Sequence, residues 1–123
     1  IQNKILNIVA IVSCDNQSIS IGLPTIIEED ILFLEKRIDK MSGELSKMKK
    51  FIIPNGNMEI AFSNVCRTLC RKAERYLVCL NSNSPIQDHI IVFINRLSDY
   101  LFVLTRKLIK KSNKKEIIWN PNL

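Results

Sequence analysis

The chain has 123 residues, 46% hydrophobic and 24% charged, with a formal net charge of +6. That balance suits one domain with its own core, and no apolar run approaches the roughly 18 residues a membrane span needs. The positive excess points to an anionic ligand, but composition does not choose among nucleic acid, phosphates and an acidic protein.

Helical periodicity covers residues 1–13, with Ile1, Ile5, Ile8 and Val12 on one face. No capping residue precedes it, so further chain is expected upstream of Ile1. A loop rich in turn formers runs from Cys14 to Pro24. Thr25 and Glu28 have the spacing of a capping box. Ile27, Ile31, Leu34, Ile38 and Met41 then mark a second helix, which Gly43 ends. "FIIPNGN" interrupts the pattern. Ile53 precedes Pro54 and is pushed toward extended geometry, and Asn55-Gly56 supplies a turn.

A third helix is predicted from about 58 to 81, with Phe62, Val65, Leu69, Ala73, Tyr76 and Leu80 as its core face. Ser84, Pro85 and Gln87 form a start signal for a fourth. It runs from about 85 to 111 with Ile86, Ile90, Phe93, Leu97, Leu101, Leu104 and Leu108 inside. The tail is basic, then apolar around Trp119. The expected fold is all-α, an up-and-down helical bundle in a single domain spanning 1–123.

No signal peptide opens the chain, so a cytoplasmic location is expected, with Cys14, Cys66, Cys70 and Cys79 reduced. Cys66 and Cys70 are read as small buried hydrophobes. As a metal pair they would lack a nearby His, the one in the chain being His89; no metal site is expected.

Arg67, Arg71 and Arg75 stack along one side of the third helix, where like charges cost about 0.2–0.5 kcal/mol per pair. A wheel places Arg67, Arg71, Glu74 and Arg75 opposite the apolar stripe. Asn95, Asp99, Phe102 and Arg106 stand likewise on the fourth helix. The connection is centred near residue 83, so Arg71 is level with Asn95 and Arg67 with Asp99. Clustered guanidinium groups beside an Asn suit a polyphosphate, since each can grip two oxygens. Nucleic acid fits poorly: the face offers one aromatic ring, and Glu74 and Asp99 would repel a phosphate backbone.

"FIIPNGN", "VCRTLCRKAERYLV" and "VFINRLSDYLFVLTRKL" resemble the PduO-type ATP:corrinoid adenosyltransferases across nearly the whole chain. The resemblance implies a five-helix bundle, four helices of which are visible in the sequence, assembled as a homotrimer with sites between subunits. It implies transfer of the 5′-deoxyadenosyl group of ATP to the cobalt of reduced cobalamin, with release of triphosphate. Carried over by position, the ATP-binding residues are Arg71, Lys72, Glu74, Arg75 and Asn95. The corrinoid-binding residues are Phe51, Arg67 and Phe102. Arg71 and Phe51 carry the catalysis, Phe51 by occupying the lower axial face of the corrinoid. Mg²⁺ is expected to arrive with ATP. Lys72 stands where a second Arg is common, and Asn64 where a His is common. The family's N-terminal Gly-rich phosphate segment has no counterpart around Gly22, Gly43 or Gly56, and is expected upstream of Ile1. The alternative is a degenerate relative, a helical bundle that binds corrinoid or nucleotide without catalysis.

Overall fold

A computed structural model describes residues 1–14, 22 and 24–122. Most of the loop expected between the first two helices lies outside them. Four helices form: α1 (Gln2–Val12), α2 (Glu28–Gly43), α3 (Met58–Asn83) and α4 (Asp88–Lys111). Two short strands, β1 (Ile52–Ile53) and β2 (Ile117–Ile118), pair antiparallel. The fold is an all-α bundle with a minimal sheet at one end.

Two helix starts differ from expectation. α2 begins at Glu28, and the Asp30 carboxylate accepts from the Ile27 N–H at 3.1 Å. Thr25 is not its cap; the Thr25 hydroxyl bonds the Gln87 side chain at the foot of α4. α4 starts at Asp88, not at Pro85. The Asn81 side chain accepts from the Ile86 N–H at 2.8 Å, and Gln87 is extended as the N-cap. Asp88 in the first turn and Lys110 and Lys111 in the last then complement the α4 dipole.

α4 is the central helix, with α2 and α3 both packed on it. Ile90, Phe93, Ile94 and Leu97 meet Ile31 and Leu34 of α2, Cys70 and Leu77 of α3, and Ile8 of α1. Lys4 of α1 pairs with Asp30 of α2 at 2.7 Å.

The expected core face of α3 is wrong. Phe62, Val65, Leu69 and Tyr76 are exposed, as is Ala73; only Leu80 is half-buried. The buried side carries Ile60, Ser63, Cys70 and Leu77, about a third of a turn away. Small residues decide this. The Ser63 hydroxyl meets the Thr105 hydroxyl at 2.8 Å, and the Cys70 thiol donates to the Ile94 carbonyl at 3.2 Å. Bulky side chains there would hold α4 off. α3 therefore has two apolar sides: a buried small-residue side against α4, and an exposed bulky stripe facing outward. Ile1, Ile5 and Ile27 are likewise exposed.

Arg106 is also misplaced by the wheel. It is buried, 7% exposed, and not on a wet face. Cys66 is exposed, while Cys70 is buried. Burial, with Glu74 adding to it, pushes the Cys70 thiol up to about 11.

Candidate functional site at the β1–α3–α4 corner

Segment 48–54, the first half of α3 and the second half of α4 meet at one corner. Asn57 caps α3 by accepting from the Ile60 N–H at 3.1 Å. Gly56, with φ +145°, makes the turn into that cap, and a Cβ there would collide with the Ile60 side chain. This tight joint holds Phe51, Ile52 and Pro54 over Asn64, Arg67 and Thr68 of α3. Phe102 and Thr105 of α4 close the far side, and with Met48 these residues line a cavity of about 320 Å³.

Phe51, Arg67 and Phe102, which are far apart in sequence, thus share one cavity. The Arg67 guanidinium lies 5.0 Å from the centre of the Phe102 ring, within cation–π range. Burial first, then the neighbouring Arg71 charge, hold the Arg67 pKa below its ordinary value, partly offset by Asp99. Among the described residues no carboxylate forms an ion pair with Arg67. It is a partly desolvated cation with donor capacity to spare.

A second polar cluster sits further along the same two helices. The Asn95 amide donates to Glu74 at 2.7 Å and accepts from Arg96 at 2.6 Å. Arg96 also pairs with Asp99 at 3.2 Å. Asn95 is therefore fixed in orientation from both ends. Arg71 and Arg75 are exposed one turn apart on α3, and Lys72 is exposed as well. Arg71 and Arg75 form an accessible row of cations, while the Lys72 ammonium stands 6.0 Å from the ring of Tyr76, on the outward apolar side of α3. The corner can hold a flat apolar body against rings at one end and an anion along α3 at the other.

The residue-level register differs by about one helical turn. Asn95 meets Glu74 rather than Arg71, and Arg67 meets Phe102 rather than Asp99. Sequence reasoning gave no site role to Arg96 or Thr68, and noted Asn64 only as a departure from the family pattern. Arg96 carried a signal, its i,i+3 spacing to Asp99. Asn64 lies about one turn before Arg67 on α3 and Thr68 directly follows it, so a cavity at Arg67 implies them.

The cobalamin adenosyltransferase family model matches residues 1–108. The chain belongs to that family. A bovine corrinoid adenosyltransferase, MMAB, is 40% identical over 92 residues, covering 75% of this chain and 38% of that protein. A Bacillus subtilis corrinoid adenosyltransferase is 39% identical over 85 residues, covering 69% of this chain and 44% of that one. The chain thus spans about two fifths of the length of these relatives. A phenylalanine-to-alanine variant PduO-type ATP:corrinoid adenosyltransferase from Lactobacillus reuteri, complexed with cobalamin and ATP, superposes with a TM-score of 0.89. It is 26% identical, and the match covers 97% of this chain and 66% of that one. No helix among the described residues is long and apolar enough to cross a membrane.

Proposed function

We propose that the protein transfers the 5′-deoxyadenosyl group of ATP to the cobalt of a reduced corrinoid. The observation that carries this reading is the joining of Phe51, Arg67 and Phe102 in one cavity, beside an exposed row of cations on α3. The bovine and Bacillus subtilis relatives are named corrinoid adenosyltransferases, and the Lactobacillus reuteri neighbour is an ATP:corrinoid adenosyltransferase complexed with cobalamin and ATP.

In this reaction an external one-electron donor first converts cobalt(II) to cobalt(I). The cobalt(I) electron pair attacks the ribose 5′ carbon, the Co–C5′ bond forms, and the C5′–O5′ bond breaks. Triphosphate leaves with that second electron pair. Arg71 and Arg75 stabilise the charge that develops on it, with Lys72 as a third cation. Glu74 and Arg96 hold the Asn95 amide in a set orientation for the nucleotide. Arg67 and Phe102 line the corrinoid end. Phe51 stands on the lower axial side and displaces the lower ligand, which makes cobalt(II) easier to reduce. Mg²⁺ arrives on the phosphates, held largely by them and by water.

The active form is a homotrimer in the cytoplasm. The exposed stripe of Phe62, Val65, Leu69 and Tyr76 supports the assembly, since contiguous bulky apolar side chains of this kind mark an interaction surface. The four free cysteines suit a reducing compartment.

The test is an anaerobic assay of the full-length protein with ATP and pre-reduced cobalamin, following the spectrum of the alkylated product and the release of triphosphate. Arg71→Ala should keep its helicity, because Arg71 is exposed, and should lower turnover at limiting ATP by about 10-fold or more, the scale of losing one charge-stabilising donor. Binding of both ligands without product would establish the non-catalytic alternative.

A further inference from the structure

Phe51 is 73% exposed, so core packing does not hold its ring. The support comes instead from the tail of the chain. β2 pairs with β1 in the register Ile52 to Ile118 and Ile53 to Ile117. The next rung brings Phe51 opposite Trp119, whose backbone N–H donates to the Phe51 carbonyl at 2.8 Å. The two rings meet edge to face, with centroids 6.2 Å apart and planes at 76°. Buried Arg106 pins this clasp. It binds Glu116, three residues before Trp119, at 2.6 Å, and donates to the Ser46 carbonyl at 2.8 Å, five residues before Phe51.

Phe51 also divides two spaces. On one side is the cavity it shares with Arg67 and Phe102. On the other is an open groove of about 720 Å³, lined by Trp119, Ile118, Lys49 and Lys50 among others. The backbone pairing fixes where the Phe51 Cα lies, but it leaves χ1 free. Trp119 lines that groove and meets the Phe51 ring there, so its indole stands on the side to which the ring would swing if it left the cavity. The family match ends at residue 108, so the tail that supplies this wall lies beyond the matched segment.

We propose that Trp119 is a positioning residue that acts through Phe51. Its indole keeps the Phe51 ring turned to the cavity, and thereby sets how completely the lower ligand is kept off cobalt(II). This rests on the proposed function and adds to it a second ring, drawn from the tail, that carries no contact with the reacting atoms.

The experiment compares the parent full-length protein with Trp119→Ala, Trp119→Phe, Phe51→Ala and the Phe51→Ala/Trp119→Ala double variant. Electron paramagnetic resonance of cobalt(II) cobalamin with ATP reads the four-coordinate fraction. Turnover is measured from cobalt(II) with an external one-electron donor, and separately from pre-reduced cobalt(I). Trp119→Ala should lower the four-coordinate fraction relative to the ligated form about threefold to tenfold, the span one aromatic pair is worth. Turnover from cobalt(II) should fall with it, while turnover from cobalt(I) and the KM for ATP stay within about twofold of the parent. Trp119→Phe, which keeps an aromatic edge, should recover most of the loss. In the Phe51→Ala background, Trp119→Ala should add nothing, because the ring it positions is gone.

Three results overturn the proposal. An unchanged four-coordinate fraction in Trp119→Ala, with a strong signal in the parent, removes Trp119 and leaves the proposed function standing. A loss of both turnover rates in proportion to the folded fraction makes Trp119 a stability residue only. A parent that gives neither the four-coordinate signal nor product takes the proposed function down together with the inference.

Discussion

Arg106→Met tests whether the tail is part of the domain or an appendage to it. The guanidinium is buried and makes contacts to two remote segments, Glu116 at 2.6 and 3.5 Å and the Ser46 carbonyl at 2.8 Å. Methionine keeps the aliphatic packing and deletes the donors. Hydrogen bonds to a charged group contribute about 1.5–3 kcal/mol each, and orphaning one partner of a fully buried pair costs about 3–5 kcal/mol. The Glu116 side chain is 27% exposed, so water recovers part of its loss. The Ser46 carbonyl lies on an exposed residue and recovers more. The expected net loss is about 2–3 kcal/mol, which for a domain of this size lowers the melting temperature by about 6–15 °C. Circular dichroism melts at one fixed protein concentration measure it. Glu116→Gln and the double variant complete a cycle, whose coupling should exceed about 1 kcal/mol. Trypsin should also cut faster at Lys114 and Lys115 in Arg106→Met, since the tail loses its pin. A melting temperature within about 2 °C of the parent, with no coupling and unchanged proteolysis, would refute the reasoning: the buried guanidinium would then be replaceable by packing alone.

Two further predictions concern titratable groups away from the site. At about pH 8 a soluble thiol reagent should modify Cys66 and Cys79, which are exposed, and spare Cys70 until the protein unfolds, because burial keeps the Cys70 thiol neutral up to about 11; equal rates at Cys66 and Cys70, read by mass spectrometry, would show that α3 and α4 separate readily. For Asp30, burial opposes the charge but is outweighed by the hydrogen bond and charge of Lys4 and by the Ile27 N–H, so its pKa falls below 3.8 in the fold. A depressed carboxylate stabilises the fold above its unfolded pKa and loses that contribution as pH drops through the folded one, so Asp30→Asn should be less stable than the parent by under about 1 kcal/mol near pH 7, with the difference shrinking as pH falls below 3.8 and vanishing once Asp30 is protonated in the fold. A difference that persists at the lower pH would assign the effect to the α2 cap rather than to the charge.

The α4 stripe was legible because α4 is packed from both sides, and its bulky residues at 90, 93 and 97 are the core itself. α3 misled for a physical reason. Hydrophobic periodicity finds the bulkiest stripe, yet two helices approach most closely through small side chains, and Ser63 and Cys70 are invisible to such a count. The cation cluster was legible as a group, while its pairing was displaced. The chain between α3 and α4 stays extended to Gln87 instead of entering the helix at Pro85, so the centre of the hairpin moves toward the C-terminus and Glu74 takes the place opposite Asn95. A wheel assigned Arg106 to water because it ranks residues by their angle from one stripe. That ranking holds for a helix with one covered side. α4 is covered by α2 and α3 along its flanks, and near its end by segment 44–46 and the tail, so the residue farthest from the apolar stripe still meets protein. The partners that satisfy it, Ser46 and Glu116, lie 60 and 10 residues away along the chain. The same tail that buries Arg106 supplies the ring against Phe51. A reading confined to helix faces therefore misses both the buried cation and the second aromatic for one cause: each depends on a strand of two residues that no periodicity can reveal.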